Sequence, residues 1–458
     1  MSISSDEINF LIQRYFYECG FEHSLYTFNA ESTTDLSNMN GSQIPPGALI
    51  TLLQKGLLYI QLEKEIQSQH KGGAAYNAQL TLLDAALREG SVLPRKPEAP
   101  SHDSHDSVSI HLDHSNSILL AEHTKDALCC SWSFDSKFLA TGSSDNTAII
   151  WDVSNPDSIT SCILQHNSSS PSQVSSLDWS PKALFLATGC SDGTLHIWNS
   201  SGEELNSVKS NTDQELQSIH VVKFDPSGER ILYGNDTSIG IVSTESGDIL
   251  STITCKHNAI LDASWKNESV YAVGCDDGFV LIFDPEVNNG KILEMAGHNE
   301  TVNGVSWSLN GEFLASCSDD KTIRLWKDGN SIVLKGHTNP VYAVRWNEKG
   351  ILASASFDNT LRIWDPQNGT CLHTLQSHTM QIYAICFSPD GELIASGSAD
   401  QSIKVWRVSD GKLLCTCMGT QGIFDVQMDK LGNYISVCFV GGNVALIPTA
   451  NLHLGANE

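Results

Sequence analysis

The 458-residue sequence predicts an all-β ring of eight propeller blades behind a small all-α N-terminal segment. Three observations lead there. From about residue 117 to 449 the chain repeats with a period near 40 residues, the length of a four-stranded blade. All ten Trp fall into two columns of that repeat. Before residue 90 the spacing of apolar residues changes to that of amphipathic helices.

Composition narrows the function before any motif is read. With 40% hydrophobic residues, 34 Gly and 14 Pro, the chain has the make-up of a globular protein. A formal charge of -26 opposes a phosphate backbone, so direct nucleic-acid binding is not expected, and an acidic surface suits Lys- and Arg-rich peptides. No run approaches the roughly 18 apolar residues of a membrane-spanning helix, and MSISSDE lacks the features of a secretory signal, so an intracellular protein with reduced thiols is expected. The 13 Cys are scattered without a CxxC pair, which predicts no metal site. No cofactor fingerprint occurs in a suitable strand and helix context.

The first element, residues 1–90, begins with a Ser4/Glu7 capping pair, after which Ile8, Leu11, Ile12, Tyr15 and Phe16 recur at helical spacing. Gly20 ends that helix, and a second, carrying Phe21, Leu25 and Phe28, follows to Glu31. Two short helices cannot bury so much apolar surface alone, so self-association through these residues is expected. Pro45 and Pro46 open a third helix that is apolar around much of its circumference, and Ala74–Arg88 reads as a fourth. Residues 91–116, containing PRKPEAPSHDSHDSVS, read as a polar linker. The spacing of His102, His105, His111 and His114 in it is one that could bind a metal weakly, against which the reading as solvated linker side chains is preferred.

The clearest repeat copies are GSSDNTAIIWD, GCSDGTLHIWN, CSDDKTIRLWK, ASFDNTLRIWD and GSADQSIKVWR. Each places an Asp six residues before a Trp: Asp145/Trp151, Asp192/Trp198, Asp320/Trp326, Asp358/Trp364 and Asp400/Trp406. Two degenerate copies put Asp236 before Val242 and Asp277 before Phe283, and the last puts Ile447 at the Trp position, making eight. The second column lies 18 or 19 residues earlier, at Trp132, Trp179, Phe224, Trp265, Trp307, Trp346, Phe387 and Met428. Between the columns, runs such as FLASCS and LIASGS bounded by Gly, Asn and Asp read as short buried strands. The eighth copy supplies three strands before the tail, residues 450–458. Its fourth is expected from Ser117–His123, which would close the ring and remove its open edges.

These copies resemble WD repeats. The resemblance implies a hydrogen-bonded quartet of His, Ser or Thr, the turn Asp and the Trp in five blades: His123, Thr141, Asp145 and Trp151; His166, Thr188, Asp192 and Trp198; His298, Ser316, Asp320 and Trp326; His337, Ser354, Asp358 and Trp364; His378, Ser396, Asp400 and Trp406. Their recurrence argues against a hydrolase triad, since catalysis needs one asymmetric constellation, and no catalytic residue is expected. Blade 4 has Val273 and Phe283 beside His257 and Asp277, and blades 3 and 8 lack the His, so packing should hold these three.

INFLIQRYFYECGFEHSLYTFNAES resembles a LisH motif, which implies helical dimerisation. The order LisH, then PPGALITLLQKGLLYIQLE, then the eight repeats resembles the transducin-beta-like corepressor subunits, whose middle segment is called F-box-like. That resemblance implies a nuclear, non-catalytic scaffold of a histone-deacetylase-containing corepressor complex, with corepressor proteins, a deacetylase and histone tails as partners. A WD-repeat substrate receptor of a ubiquitin ligase is the alternative. It also points to one narrow face of the ring as the binding surface. There the residue before each turn Asp is expected at the rim: Ser144, Ser191, Asn235, Asp276, Asp319, Phe357 and Ala399. A second ring comprises Leu128, Ser175, His220, Leu261, Asn303, Tyr342, Tyr383 and Phe424. Aromatic residues thus gather on blades 6 to 8 and carboxylates on blades 4 and 5, a layout suited to a peptide with one apolar and one basic anchor.

Overall fold

The computed structural model describes residues 108–111 (backbone only), 117–166, 172–209, 217–256, 259–284, 293–327 and 329–452. The chain divides into two compact units, residues 1–103 and 104–458, and every described residue belongs to the second. The helices expected within residues 1–90, His257, and the histidines at 102, 105 and 114 lie outside the described residues, as does the tail beyond 452.

The described unit is an all-β propeller of eight blades. Blade 1 is built from the antiparallel strands Ala127–Trp132, Phe138–Ser143, Thr147–Asp152 and Thr160–Gln165. The same order repeats in blades 2 to 7 over residues 174–209, 219–254, 260–296, 302–335, 341–376 and 382–418. Blade 8 takes three strands from residues 423–448 and its fourth from Ile118–Leu120, which pairs antiparallel with Val444–Leu446. The first strand of each blade touches those of both neighbours, around to blade 8 and back to blade 1, and so lines the central channel.

The second strands are short, nearly continuous apolar runs because both sheet faces are covered, as in the fully buried LASCS and LASAS. The core lies between adjacent blades. Ile403 and Cys417 of blade 7, for example, pack with Ile423, Val426 and Phe439 of blade 8, all nearly inaccessible to solvent. Burial of each large aliphatic side chain contributes about 1.5–3 kcal/mol. The Trp column occupies one register throughout: Trp151 lies opposite Leu139, and Val242, Phe283 and Ile447 lie opposite Ile231, Tyr271 and Ile435. The hairpin after the turn Asp needs a left-handed residue, supplied by Asn146, Lys321, Asn359 and Gln401 and by Gly193 and Gly278. Gly442 has a second reason to be Gly: a Cβ there would lie 2.5 Å from the Lys125 carbonyl oxygen, on the seam between blades 8 and 1.

The segment assigned to the linker contains a strand. Val108–His111 pairs parallel with Cys415–Met418 and makes blade 7 five-stranded. Its alternating sequence VSIH suits an extended segment, and an outer strand offers unpaired backbone groups.

Candidate functional site

In blade 6 the Trp364 indole N–H donates to Ser354 Oγ at 2.9 Å, Ser354 Oγ lies 2.8 Å from His337 Nε2, and His337 Nδ1 lies 2.9 Å from Asp358. Blades 1, 5 and 7 repeat this through Thr141, Ser316 and Ser396. A neutral imidazole with its proton on Nδ1 satisfies every link: it donates to the carboxylate and accepts from the hydroxyl, which accepts from the indole. Burial lowers the pKa of His123, His337 and His378 against the opposing pull of the paired aspartates, favouring that neutral form. Burial alone would raise the carboxyls of Asp320, Asp358 and Asp400, but bonds from His298, His337 and His378 and from neighbouring hydroxyls outweigh it and hold them low. The central hydroxyls are fully buried, so no substrate reaches them.

Blade 2 departs from this arrangement. His166 Nε2 meets Thr188 at 2.8 Å and Trp198 donates to Thr188 at 3.0 Å, but among the described residues the buried His166 Nδ1 has no hydrogen-bond partner. Asp192 keeps the bond from the Thr194 amide that the turn Asp of the other four blades also accepts from the residue two positions on. In sequence, 22 residues separate His166 from Thr188, against 18 between His123 and Thr141. Blade 2 also has Cys190 where the other four have Ser143, Ser318, Ser356 and Ser398, whose hydroxyls each accept the N–H of the turn Asp. Ser172 supplies that acceptor instead. These serines and the hydroxyls of Thr147, Thr322, Thr360 and Ser402, which donate to the turn Asp, extend each quartet. Their signal was visible as Ser two residues before and Thr or Ser two residues after the Asp.

The narrow face is built by one device. In all eight inner strands the pairing register slips by a residue, and the skipped residues are Leu128, Ser175, His220, Leu261, Asn303, Tyr342, Tyr383 and Phe424. A bulge re-aims the side chain of its extra residue, so the second ring read from the sequence is a ring of bulges. Next to it, in every blade with a turn Asp except blade 3, the residue before that Asp ties back by its amide to the chain just before the inner strand, as Asp319 does to Thr301 and Phe357 to Pro340.

Three predicted rings meet there. Tyr342 and Phe357 stack with centroids 5.5 Å apart, and Tyr383 stands edge-on to both at 5.5 and 5.3 Å. Tyr342 is 42% exposed, so the cluster offers an apolar platform to solvent. Phe424 occupies the equivalent bulge of blade 8 but is not part of this cluster. On the neighbouring arc, Asn303 Nδ2 donates to Asp319 at 2.6 Å and to the Val341 carbonyl at 3.1 Å, tying blade 5 to blade 6. Asp276 is exposed and accepts from Thr301 at 2.8 Å.

One rim residue needs correction. Asn235 is fully buried, paired opposite Ile219 where blade 1 pairs Ser143 with Ala127. The blade 3 turn is one residue shorter, so Asn235 takes over the turn-capping task, accepting from the Thr237 and Ser238 amides. Asp236 moves to the rim, where its carboxylate meets His220 Nε2 at 2.7 Å. The carboxylate arc therefore runs over blades 3 to 5.

Below the face, the channel holds a polar cavity of about 350 Å³ lined by Asp178, Lys223, Asp262, Arg345 and Gln427 among others. Its carboxylates bridge blades: Asp178 accepts the Phe224 amide at 2.9 Å and Asp262 the Val305 amide at 3.0 Å. Burial raises the Asp178 carboxyl. Among the described residues no group of His, Cys, Asp or Glu is placed to hold a metal ion, and no helix is long and apolar enough to cross a membrane. Every described cysteine is a free thiol.

Eight blades on a common four-stranded plan, four of them closed by Trp-anchored polar quartets, define a WD-repeat propeller. The family model of the WD domain, G-beta repeat, matches residues 104–152, 159–199, 290–327, 330–365 and 369–407, the five blades whose sequences carry the quartet residues. The human F-box-like/WD repeat-containing protein TBL1X is 31% identical over 98% of this chain and 90% of its own length, and human TBL1Y is 30% identical over 98% and 100%. The chain belongs to this family of F-box-like/WD repeat-containing, transducin-beta-like proteins. The WD40 repeat-containing protein HOS15 of Arabidopsis thaliana is 26% identical over 97% of this chain and 99% of its own length. Among solved structures, the C-terminal WD40 domain of Sif2 superposes with a TM-score of 0.64 at 22% identity, covering 73% of this chain and 99% of that one, a likeness of fold.

Proposed function

We propose that the protein is a nuclear, non-catalytic scaffold subunit of a histone-deacetylase-containing corepressor complex. It presents the narrow face of its propeller to peptides, histone tails among them. The observation that carries this reading is the cluster of Tyr342, Phe357 and Tyr383 beside the rim carboxylates, on a ring whose Ser, His and Asp sets are buried. An apolar side chain on the platform and a Lys or Arg near Asp276 and Asp319 would gain from desolvation and charge together. The near full-length relationship to TBL1X and TBL1Y supports the corepressor assignment. Self-association and the grip on corepressor helices are assigned to residues 1–90, with Ile8, Leu11, Ile12, Tyr15, Phe16, Phe21, Leu25 and Phe28 as the contact set.

Affinity purification of the full chain followed by mass spectrometry and a deacetylase assay tests this. Corepressor proteins and deacetylase activity should copurify, whereas cullin-type adaptors in their place would make the chain a ubiquitin-ligase substrate receptor. Replacing Tyr342, Tyr383 and Phe424 together by Ala should abolish histone-peptide capture with the melting temperature nearly unchanged. Retained capture would remove the narrow face as the site.

A further inference from the structure

The perimeter of the ring carries a second interaction surface, independent of the narrow face. Outer strands end their sheets, so their outward backbone groups are available to another strand. In blades 1 to 6 these strands are largely solvent-exposed, and even apolar positions stay open: Ile163 is 48% exposed and Ile332 42%. Blade 7 differs. In Leu413–Met418 no residue is exposed, and Thr416 and Cys415, which hold the registers of Ile163 and Ile332, are 8% and 0% exposed. Its sequence, LLCTCM, is apolar at five of six positions, where TSCILQ, ELNSVK, ILSTIT and NSIVLK of blades 1, 2, 3 and 5 are apolar at two or three. Beneath it Lys404 is buried, its Nζ 3.3 Å from Thr416 Oγ1. The parallel strand Val108–His111 lies along this edge and contributes to its burial, over a strand whose own composition is apolar.

We infer that the outer edge of blade 7 is a strand-addition site, occupied in cis by Val108–His111 and open, once that strand leaves, to an extended peptide of alternating apolar and polar residues. The cis strand is short, so its grip rests on tethering. A segment a few residues from the ring acts at about millimolar effective concentration and excludes a free competitor present at micromolar levels. The main chain would supply affinity and the alternation register, as in other strand additions.

Hydrogen exchange on the full chain provides the test. In a parallel pair, alternate residues of a strand face the partner, so Ser109→Pro with Ile110→Pro removes a ladder donor in either phase. The outward amides of Leu413–Met418 should then exchange at least about tenfold faster, with the other outer strands unchanged. Replacing residues 108–111 by Gly-Ser-Gly-Ser should do the same. A synthetic peptide of residues 105–114 should bind both variants and not the natural chain at the same concentration, and should fail when Val108 and Ile110 are replaced by Ser. Unchanged exchange, faster exchange spread evenly over all blades, or no peptide binding to the variants would each overturn the proposal.

Discussion

Asp425 of blade 8 accepts the backbone N–H of Cys130 of blade 1 at 3.0 Å, a hydrogen bond spanning 295 residues of sequence. It lies on the seam where the ring closes, alongside the Trp132 indole N–H to Ser436 Oγ at 3.0 Å and the Gly441 amide to Asp126 at 2.7 Å. The same carboxylate also takes the Val426 amide at 2.8 Å. Asp425→Ala should therefore lower stability by about 1–3 kcal/mol, the cost of leaving buried donors unpaired, while Asp425→Asn, which keeps one acceptor oxygen, should lose less. Denaturant unfolding would read the total. Exchange at Ile118–Leu120 and Cys130 would locate it, and no preferential loosening there would separate the residue from closure.

Ser354 serves two partners in blade 6, accepting from the Trp364 indole and meeting His337 Nε2. Ser354→Ala strands both buried groups and should cost about 2–4 kcal/mol, more than an isolated buried hydroxyl. Ser354→Thr should recover most of it, because blade 1 uses Thr141 in the same place. Equal stability of the Ala and Thr variants in urea unfolding would show that the quartet is not under strain from its loss.

Blade 3 solves the same space differently. Tyr233 stands at the register of Thr141, and a Cβ added to Gly240 would lie 2.1 Å from its ring. Gly240→Ala should thus destabilise by about 2 kcal/mol or more through overpacking. Shortening the neighbour in Tyr233→Ser/Gly240→Ala should make the two changes strongly non-additive. Additive effects in a double-mutant cycle would place the clash elsewhere.

The repeat made the blade count and both Trp columns legible, because a buried position facing the same neighbours in every blade constrains the same residue type. Even the substituted positions Val242, Phe283 and Ile447 could be placed by counting. The rim was legible in its bulge positions but not where a turn changed length, which is why Asn235 and Asp236 exchange roles. The four-residue excess between His166 and Thr188 was countable, but a count of residues does not say which ring nitrogen keeps its partner. The strand Val108–His111 was hidden because four residues beside polar neighbours carry little signal alone, and its partner lies some 300 residues away, paired from Cys415 onward.

On the narrow face, the three rings of blades 6 and 7 support one another, whereas Phe424 does not join them. Phe357→Ala should weaken peptide capture by removing the partner that stacks on Tyr342, by about 0.5–1.5 kcal/mol beyond its own lost contact. Phe424→Ala alone should have the smaller effect. Calorimetric titration with one histone-tail peptide would rank them, and a larger loss at Phe424 would move the centre of the site to blade 8.

The broken quartet of blade 2 sets the response to acid. Burial, reinforced by the His196 ring standing edge-on at 4.8 Å, lowers the pKa of His166 to about 4. In the unfolded chain the same imidazole titrates near 6.5. Above that pH both states hold it neutral and it costs nothing. As pH falls below about 6.5 the unfolded chain gains a proton that the fold refuses, so stability declines until about pH 4, by about 3 kcal/mol over the interval. His123, His337 and His378 act in the same direction. The turn aspartates, held low by their hydrogen bonds, withdraw their contribution only below about pH 4, where unfolded carboxylates become protonated. His166→Gln removes one titrating group without touching the closed quartets. Its unfolding free energy should therefore fall less steeply between pH 6.5 and 4 than that of the natural chain, whatever its value at pH 7. Parallel slopes for the two proteins would show that His166 is protonated in the fold as readily as in water.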